Sequence, residues 1–173
     1  MTTKFFSASL VLLLIVLFSG CSKTDEATGE VGTNYLKVKI DGKEKSFSDV
    51  SARWVDAGNF LEVSGTDSGN EWVTFTVMSE SSRVPAGEYS LDDASNFTIV
   101  SIYSILKDNA QVNFAATRGT LAPEDAFVLK IDKIDNVSVK GSFSAALVRV
   151  EGLNTLGTVT LTEGEFQSAV KPN

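Results

Sequence analysis

FVLKIDKIDNVSVKGSF, Phe127 to Phe143, places apolar side chains at every second position on both sides of a turn. Phe127, Leu129 and Ile131 alternate before Asp135-Asn136, and Val137, Val139, Gly141 and Phe143 alternate after it. Successive side chains of a strand point to opposite faces, so this period marks strands with one face in a core and one in solvent. Asp and Asn suit the tight backbone between them. The stretch predicts a β-hairpin, and its second strand continues through Ala145 and Leu147 on the same face.

The same period runs outward in both directions. Thr158 to Thr162 and Phe166 predict a closing strand with Gly164 as its bulge. Upstream, FTIVSIYSIL (Phe97 to Leu106) is apolar on both faces and rich in β-branched residues, which favours a strand over a helix, and Gln111 to Thr117 follows at hairpin spacing. Phe60 to Ser64 and Trp72 to Met78 pair across the turn formers GTDSGN, with Val73, Phe75 and Val77 inward and Trp72, Thr74 and Thr76 on the opposite face. A short strand, Glu88 to Leu91, precedes Asp92-Asp93. Nearer the start, Leu36, Val38 and Ile40 alternate into Asp41-Gly42, the signature of a type I′ turn. One return strand, Lys45 to Val55, then carries Phe47 and, after a register shift, Val50, Ala52 and Trp54. About ten short strands without helical periodicity predict one all-β domain over residues 35–173. The expected architecture is an antiparallel β-sandwich, with a lipocalin-like β-barrel as the alternative.

What precedes the domain has a different composition. FFSASLVLLLIVLFSGC, Phe5 to Cys21, joins a short positive start at Lys4 to an apolar run and two small residues before a cysteine. This is the layout of a secretory signal, and it is short of the roughly 20 apolar residues a membrane span needs. Leu17-Phe18-Ser19-Gly20-Cys21 resembles the bacterial lipobox, which implies removal of residues 1–20 and lipidation of Cys21. Phe18 stands where an aliphatic residue is usual. Residues 21–34 are polar and rich in Gly, Ser and Thr, and they read as a flexible tether. Cys21-Ser22-Lys23-Thr24-Asp25-Glu26 resembles the export signal of surface lipoproteins in Bacteroidota-type bacteria, with Thr24 interrupting its tightest form. The expected location is the bacterial outer membrane, on its periplasmic or cell-surface side, held by lipid.

Composition removes several functions. With 15 Lys and Arg against 22 Asp and Glu, a formal charge of -7 and no basic stripe, the chain repels nucleic acid. Cys21 is the only cysteine and there is no histidine, so Ser-His, Cys-His and zinc arrangements are excluded. Carboxylates remain, and a glycosidase needs two of them roughly 5 to 9 Å apart across a cleft. Asp92-Asp93, Glu124-Asp125, Asp132 with Asp135, and Glu163 with Glu165 are the candidates, and all lie in or beside turns or on opposite faces of a strand. No Asp-x-Asp-x-Asp-Gly run offers calcium its oxygens; Asp67 and Asn70 beside Gly69, or Asp92-Asp93, could supply an irregular site. We therefore expect no catalytic residues, no metal and no cofactor. Among the aromatics Tyr35, Trp72, Tyr89 and Tyr103, Trp72 is the best candidate for ligand binding, because it lies opposite the Val73, Phe75 and Val77 face. A second apolar layer would bury it equally well.

Phe127 to Phe143, followed by VTLTEGEF (Val159 to Phe166), resembles a group of uncharacterised Bacteroidota-type lipoproteins. Their centre, a Val-x-Gly-Thr/Ser-Phe strand, matches Val139-Lys140-Gly141-Ser142-Phe143, and their early hairpin matches Ile40-Asp41-Gly42-Lys43. The resemblance implies a lipid-anchored all-β domain and brings no activity with it. The leading expectation is a non-catalytic binding or structural module facing a glycan or a surface protein. The alternatives are a carrier of small apolar ligands inside a barrel, for which eleven phenylalanines could line a cavity, and a carbohydrate-active enzyme.

Overall fold

The computed structural model describes residues 32–117 and 124–171, most of them in eleven strands. These are β1 (Tyr35–Ile40), β2 (Lys43–Phe47), β3 (Asp49–Val55), β4 (Phe60–Asp67), β5 (Glu71–Ser79), β6 (Gly87–Ser90), β7 (Phe97–Lys107), β8 (Ala110–Thr117), β9 (Ala126–Ile134), β10 (Ser138–Glu151) and β11 (Asn154–Lys171). The signal segment, Cys21 and the tether as far as residue 31 lie outside the described residues. Asn34, the last residue of the expected tether, is already bound into the fold. Its Nδ2 donates to the Val50 carbonyl at 3.1 Å, and its Oδ1 accepts from the Ala169 N–H at 2.9 Å.

Neighbouring strands follow the order β2-β1-β11-β3-β4-β5-β7-β8-β10-β9-β6, and β10 also pairs with β11. This sheet folds over on itself. Phe75 of β5 meets Phe127 of β9, Phe143 of β10 and Phe166 of β11 at ring-centroid separations of 5.9, 5.4 and 5.1 Å. Yet β5 is hydrogen-bonded only to β4 and β7. Two layers therefore face each other: a first of β2, β1, β11, β10, β9 and β6, and a second of β3, β4, β5, β7 and β8. One seam between them is a single residue pair, Val148 with Ala115. The other is a short parallel pairing, Val170 with Ala52 and Lys171 with Arg53. A barrel wall would keep its ladders continuous around the circle. The fold is a β-sandwich, antiparallel apart from that one parallel seam.

The turn at Asp41-Gly42 has positive φ at both residues, 48° and 79°, as a type I′ hairpin requires. Beyond it the single return strand expected over Lys45 to Val55 is two strands. Phe47 pairs with Leu36 in the first layer, whereas Val50 pairs with Gly65 in the second. The chain crosses between layers at Ser48, and for that reason core positions change parity there. The bulge in β11 also differs from expectation. Register against β10 slips between the Phe143–Gly164 and Ala145–Leu161 pairs, which puts the irregularity at Thr162 and Glu163, the latter at φ 53°. Gly164 instead makes room for packing, because a Cβ there would stand 2.7 Å from the Phe143 ring.

Between the layers Leu61, Val63, Val73, Phe75, Val77 and Leu129 are fully buried. Each buried side chain of this size contributes about 1.5 to 3 kcal/mol relative to exposure. The Phe75 ring cluster fills the interior at its level, where a carrier of apolar ligands would need space.

Candidate functional site

Strand β5 has two unlike faces. Since Val73, Phe75 and Val77 are buried, alternation puts Trp72, Thr74 and Thr76 on the outer face of the second layer. Cross-strand pairing arranges that face in rows. Asp49, Thr66, Trp72, Ser104 and Asn113 form one row, and Ser51, Ser64, Thr74, Ile102 and Ala115 the next. Trp72 is partly exposed and stands outside the core cluster, so no second apolar layer buries it. Around it the polar groups are tied to one another. Ser64 and Thr74 share a hydrogen bond of 3.0 Å between their hydroxyls. Asn113 Oδ1 accepts from Ser104 Oγ at 2.8 Å and from Gln111 Nε2 at 3.0 Å. With its acceptor engaged twice, the exposed Asn113 amide has no partner for its Nδ2 donors among the described residues. Thr66, directly across from Trp72, has its hydroxyl buried and without a partner.

A second polar grouping closes one end of the sandwich. Lys45 of β2 reaches Asp67 of β4 at 2.6 Å and Glu71 of β5 at 2.5 Å, and the Tyr103 hydroxyl donates to Glu71 Oε1 at 2.6 Å. Ile40, Asp41, Lys43 and Glu44 join Lys45, Glu71 and Tyr103 around a recess of about 370 Å³. Hydrogen bonds to Asp67 and then to Glu71 hold the Lys45 ammonium above its ordinary pKa. Lys45, with help from the Ser68 hydroxyl, holds the Asp67 carboxyl below its own. Burial, more than the bond to Glu71, pushes the Tyr103 phenol up. A general acid at neutral pH needs a carboxyl moved the other way. These groups tie the two layers together and leave Asp67 unsuited to donating a proton.

Several of the carboxylates suggested by sequence are engaged elsewhere. Asp93 caps the turn after β6, accepting from the N–H groups of Ser95 at 2.8 Å and Ser90 at 3.1 Å. Asp135 accepts from the N–H groups of Val137 and Ser138, both at 2.7 Å, and these bonds hold its pKa below the usual range. Asp132 pairs with Lys130 at 3.1 Å, Glu163 pairs with Lys39 at 2.7 Å, and Glu124-Asp125 sits at the approach to β9. Asp67 and Asn70 close a tight turn, Asn70 N–H donating to the Asp67 carbonyl at 3.0 Å. The carboxylate oxygens of Asp67 are engaged by Lys45 and Ser68. Among the described residues no group of three or more His, Cys, Asp or Glu is placed to hold a metal ion.

Of the other aromatics, Tyr89 is buried edge-on to Phe97 at 5.1 Å and donates to the Pro85 carbonyl at 2.6 Å; burial pushes its pKa up to about 12. Tyr35 is on the first layer with the Lys37 ammonium 5.5 Å from its ring centre. Tyr103 belongs to the polar end. Trp72 alone of the four stands beside oriented polar groups on the outer face of the second layer.

The Lys45 cluster escaped the sequence reading, although its signal was present. Phe47 faces inward, so Lys45 two residues earlier does too, and Glu71 shares the face of Val73 and Phe75. Charges at inward positions near strand ends point to one another. No family model, no curated protein and no solved structure matches the chain.

Proposed function

We propose that the chain is a lipoprotein anchored through Cys21 to the bacterial outer membrane, and that its sandwich is a non-catalytic binding module. The lipobox and polar tether support the anchor, and the described residues support the module. One observation carries the binding reading: Trp72 stands partly exposed, outside the core and next to polar groups held in fixed positions. A large amphipathic ring at low entropic cost is what binding surfaces use as an anchor. The polar end favours no catalytic reading, since Lys45 is paired with both of its neighbouring carboxylates, Asp67 and Glu71.

The test uses the full chain in detergent and follows capture of envelope glycans and intact surface proteins. Trp72→Ala is expected to weaken capture roughly tenfold or more, the scale of an aromatic hot spot, with thermal unfolding unchanged. If Trp72→Ala melts the sandwich instead, the ring is structural and the binding reading falls. Turnover of a glycan that disappears in an Asp67→Asn or Glu71→Gln variant would overturn the non-catalytic assignment. Cys21→Ser is expected to release the chain from membranes.

A further inference from the structure

We infer that the ligand of the Trp72 face is an uncharged oligosaccharide, stacked on the Trp72 indole and hydrogen-bonded by Asn113. The inference rests on the binding reading above and names the chemistry of its ligand. Charge is the first argument. In the row Asp49–Thr66–Trp72–Ser104–Asn113 the only ionisable side chain is Asp49, on the far strand from Asn113, and the row through Ser64 and Thr74 has none. In the row after that, Arg53 Nε is committed to Glu62 Oε1 at 2.7 Å. Among the described residues of these rows an anionic ligand would find no uncommitted cation and would meet Asp49. A cationic ligand would find one acid at the edge. A neutral ligand gives up no ionic solvation and leaves none unpaired.

Geometry is the second argument. Trp72 and Asn113 lie on strands two steps apart, about 9 to 10 Å across the sheet, with Ser104 between them. That span suits adjacent sugar rings. The C–H face of one pyranose meets the negative face of the indole, which favours the weakly positive hydrogens of a saturated ring. Its neighbour then reaches the Asn113 Nδ2 donors and the side-chain carbonyl of Gln111, whose amide nitrogen already holds Asn113 in place. A protein partner needs about 800 Å² on each side with an apolar centre. Here Ile102 and Leu106 are the large apolar side chains exposed near Trp72 on β7, and Ser104 lies between them, so the apolar area is smaller than such a centre.

The experiment titrates the full chain, held in a detergent without a sugar headgroup, with neutral gluco-, galacto-, manno- and xylo-configured tetrasaccharides and with their uronic-acid counterparts. Nuclear magnetic resonance follows the Trp72 indole N–H and the Asn113 side-chain amide. A neutral sugar is expected to shift both signals with an affinity that added salt leaves unchanged. Trp72→Ala is expected to lower that affinity roughly tenfold or more, Asn113→Ala by a few fold, and Trp72→Phe to retain part of it. Binding confined to uronic-acid sugars and weakened by salt would overturn the inference. So would a protein captured through Trp72 while no sugar shifts either signal; both results leave the binding reading standing. No response to any sugar, with capture indifferent to Trp72→Ala, would overturn the inference and the binding reading together.

Discussion

The outer faces of the two layers cover one core with different chemistry. Across the first layer a row runs Ser46, Lys37, Glu165, Ser142, Lys130, Glu88, alternating in sign wherever it is charged. Lys39 pairs with Glu163 on the same face, and Lys130 with Asp132. Across the second layer the row through Trp72 carries one carboxylate at its edge, Asp49, and otherwise hydroxyls, an amide and one indole. In the second row the Thr66 hydroxyl and Ser104 are already buried. Strongly hydrated charges of both signs resist a partner that cannot match them, whereas uncharged hydroxyls and an aromatic ring can be desolvated at lower cost. In a chain with 22 acids and 15 bases, a stretch of sheet almost free of charge sets the second layer apart, and it is there that we propose the binding face.

The largest expected effect tests whether the two faces share one folding unit. Phe75→Ala removes the ring that meets Phe127, Phe143 and Phe166 across the layers. It should cost about 3 to 5 kcal/mol, the usual range for emptying a buried aromatic site. Urea unfolding followed by tryptophan fluorescence and by far-ultraviolet circular dichroism should shift by the same amount. Separate transitions would mean that the layers unfold independently and that the faces belong to two units.

Lys45→Met comes next, because Lys45 is where charge from the first layer crosses to the second. The raised Lys45 pKa means that its contribution is complete below the ordinary value of 10.5 and is lost as pH rises through the higher folded value. The lowered Asp67 pKa means that its contribution is complete above 3.8 and is lost as pH falls through the lower folded value. Stability measured against pH should therefore fall at both ends in the native chain. In Lys45→Met both slopes should flatten and stability at neutral pH should drop, by less than for Phe75→Ala. Unchanged slopes would show that the Lys45 contact does not hold the layers together.

Much of this arrangement was legible in the sequence, and what was not has physical causes. Parity alone put Val73, Phe75 and Val77 on the inner face and Trp72 on the opposite one, because a buried sheet face fixes register, but it left open whether a further layer would bury Trp72. Parity fails where a strand changes layer, so Lys45 to Val55 looked like one strand with a shift although Ser48 separates two. It also could not separate a glycine that forms a bulge from one that clears space, the difference between Glu163 and Gly164. The neutrality of the Trp72 row was beyond reach for another reason. Asn113 lies 41 positions from Trp72 in the chain, and only the pairing of β5, β7 and β8 brings them into line.

Lys39→Met, on the charged face, has the smallest expected effect and bears most directly on the contrast between faces. Lys39 and Glu163 meet at 2.7 Å with the Glu163 side chain 70% exposed, so water and salt screen the pair. The hydrogen bond to Glu163 raises the Lys39 pKa, yet an exposed group that titrates above its ordinary value of 10.5 contributes little at neutral pH that a solvated ammonium would not. Thermal unfolding of Lys39→Met should match the native chain, and so should capture by the Trp72 face. A loss of capture comparable to that of Trp72→Ala would move the binding surface to the first layer. The uncharged rows of the second layer would then be only a solvated sheet face.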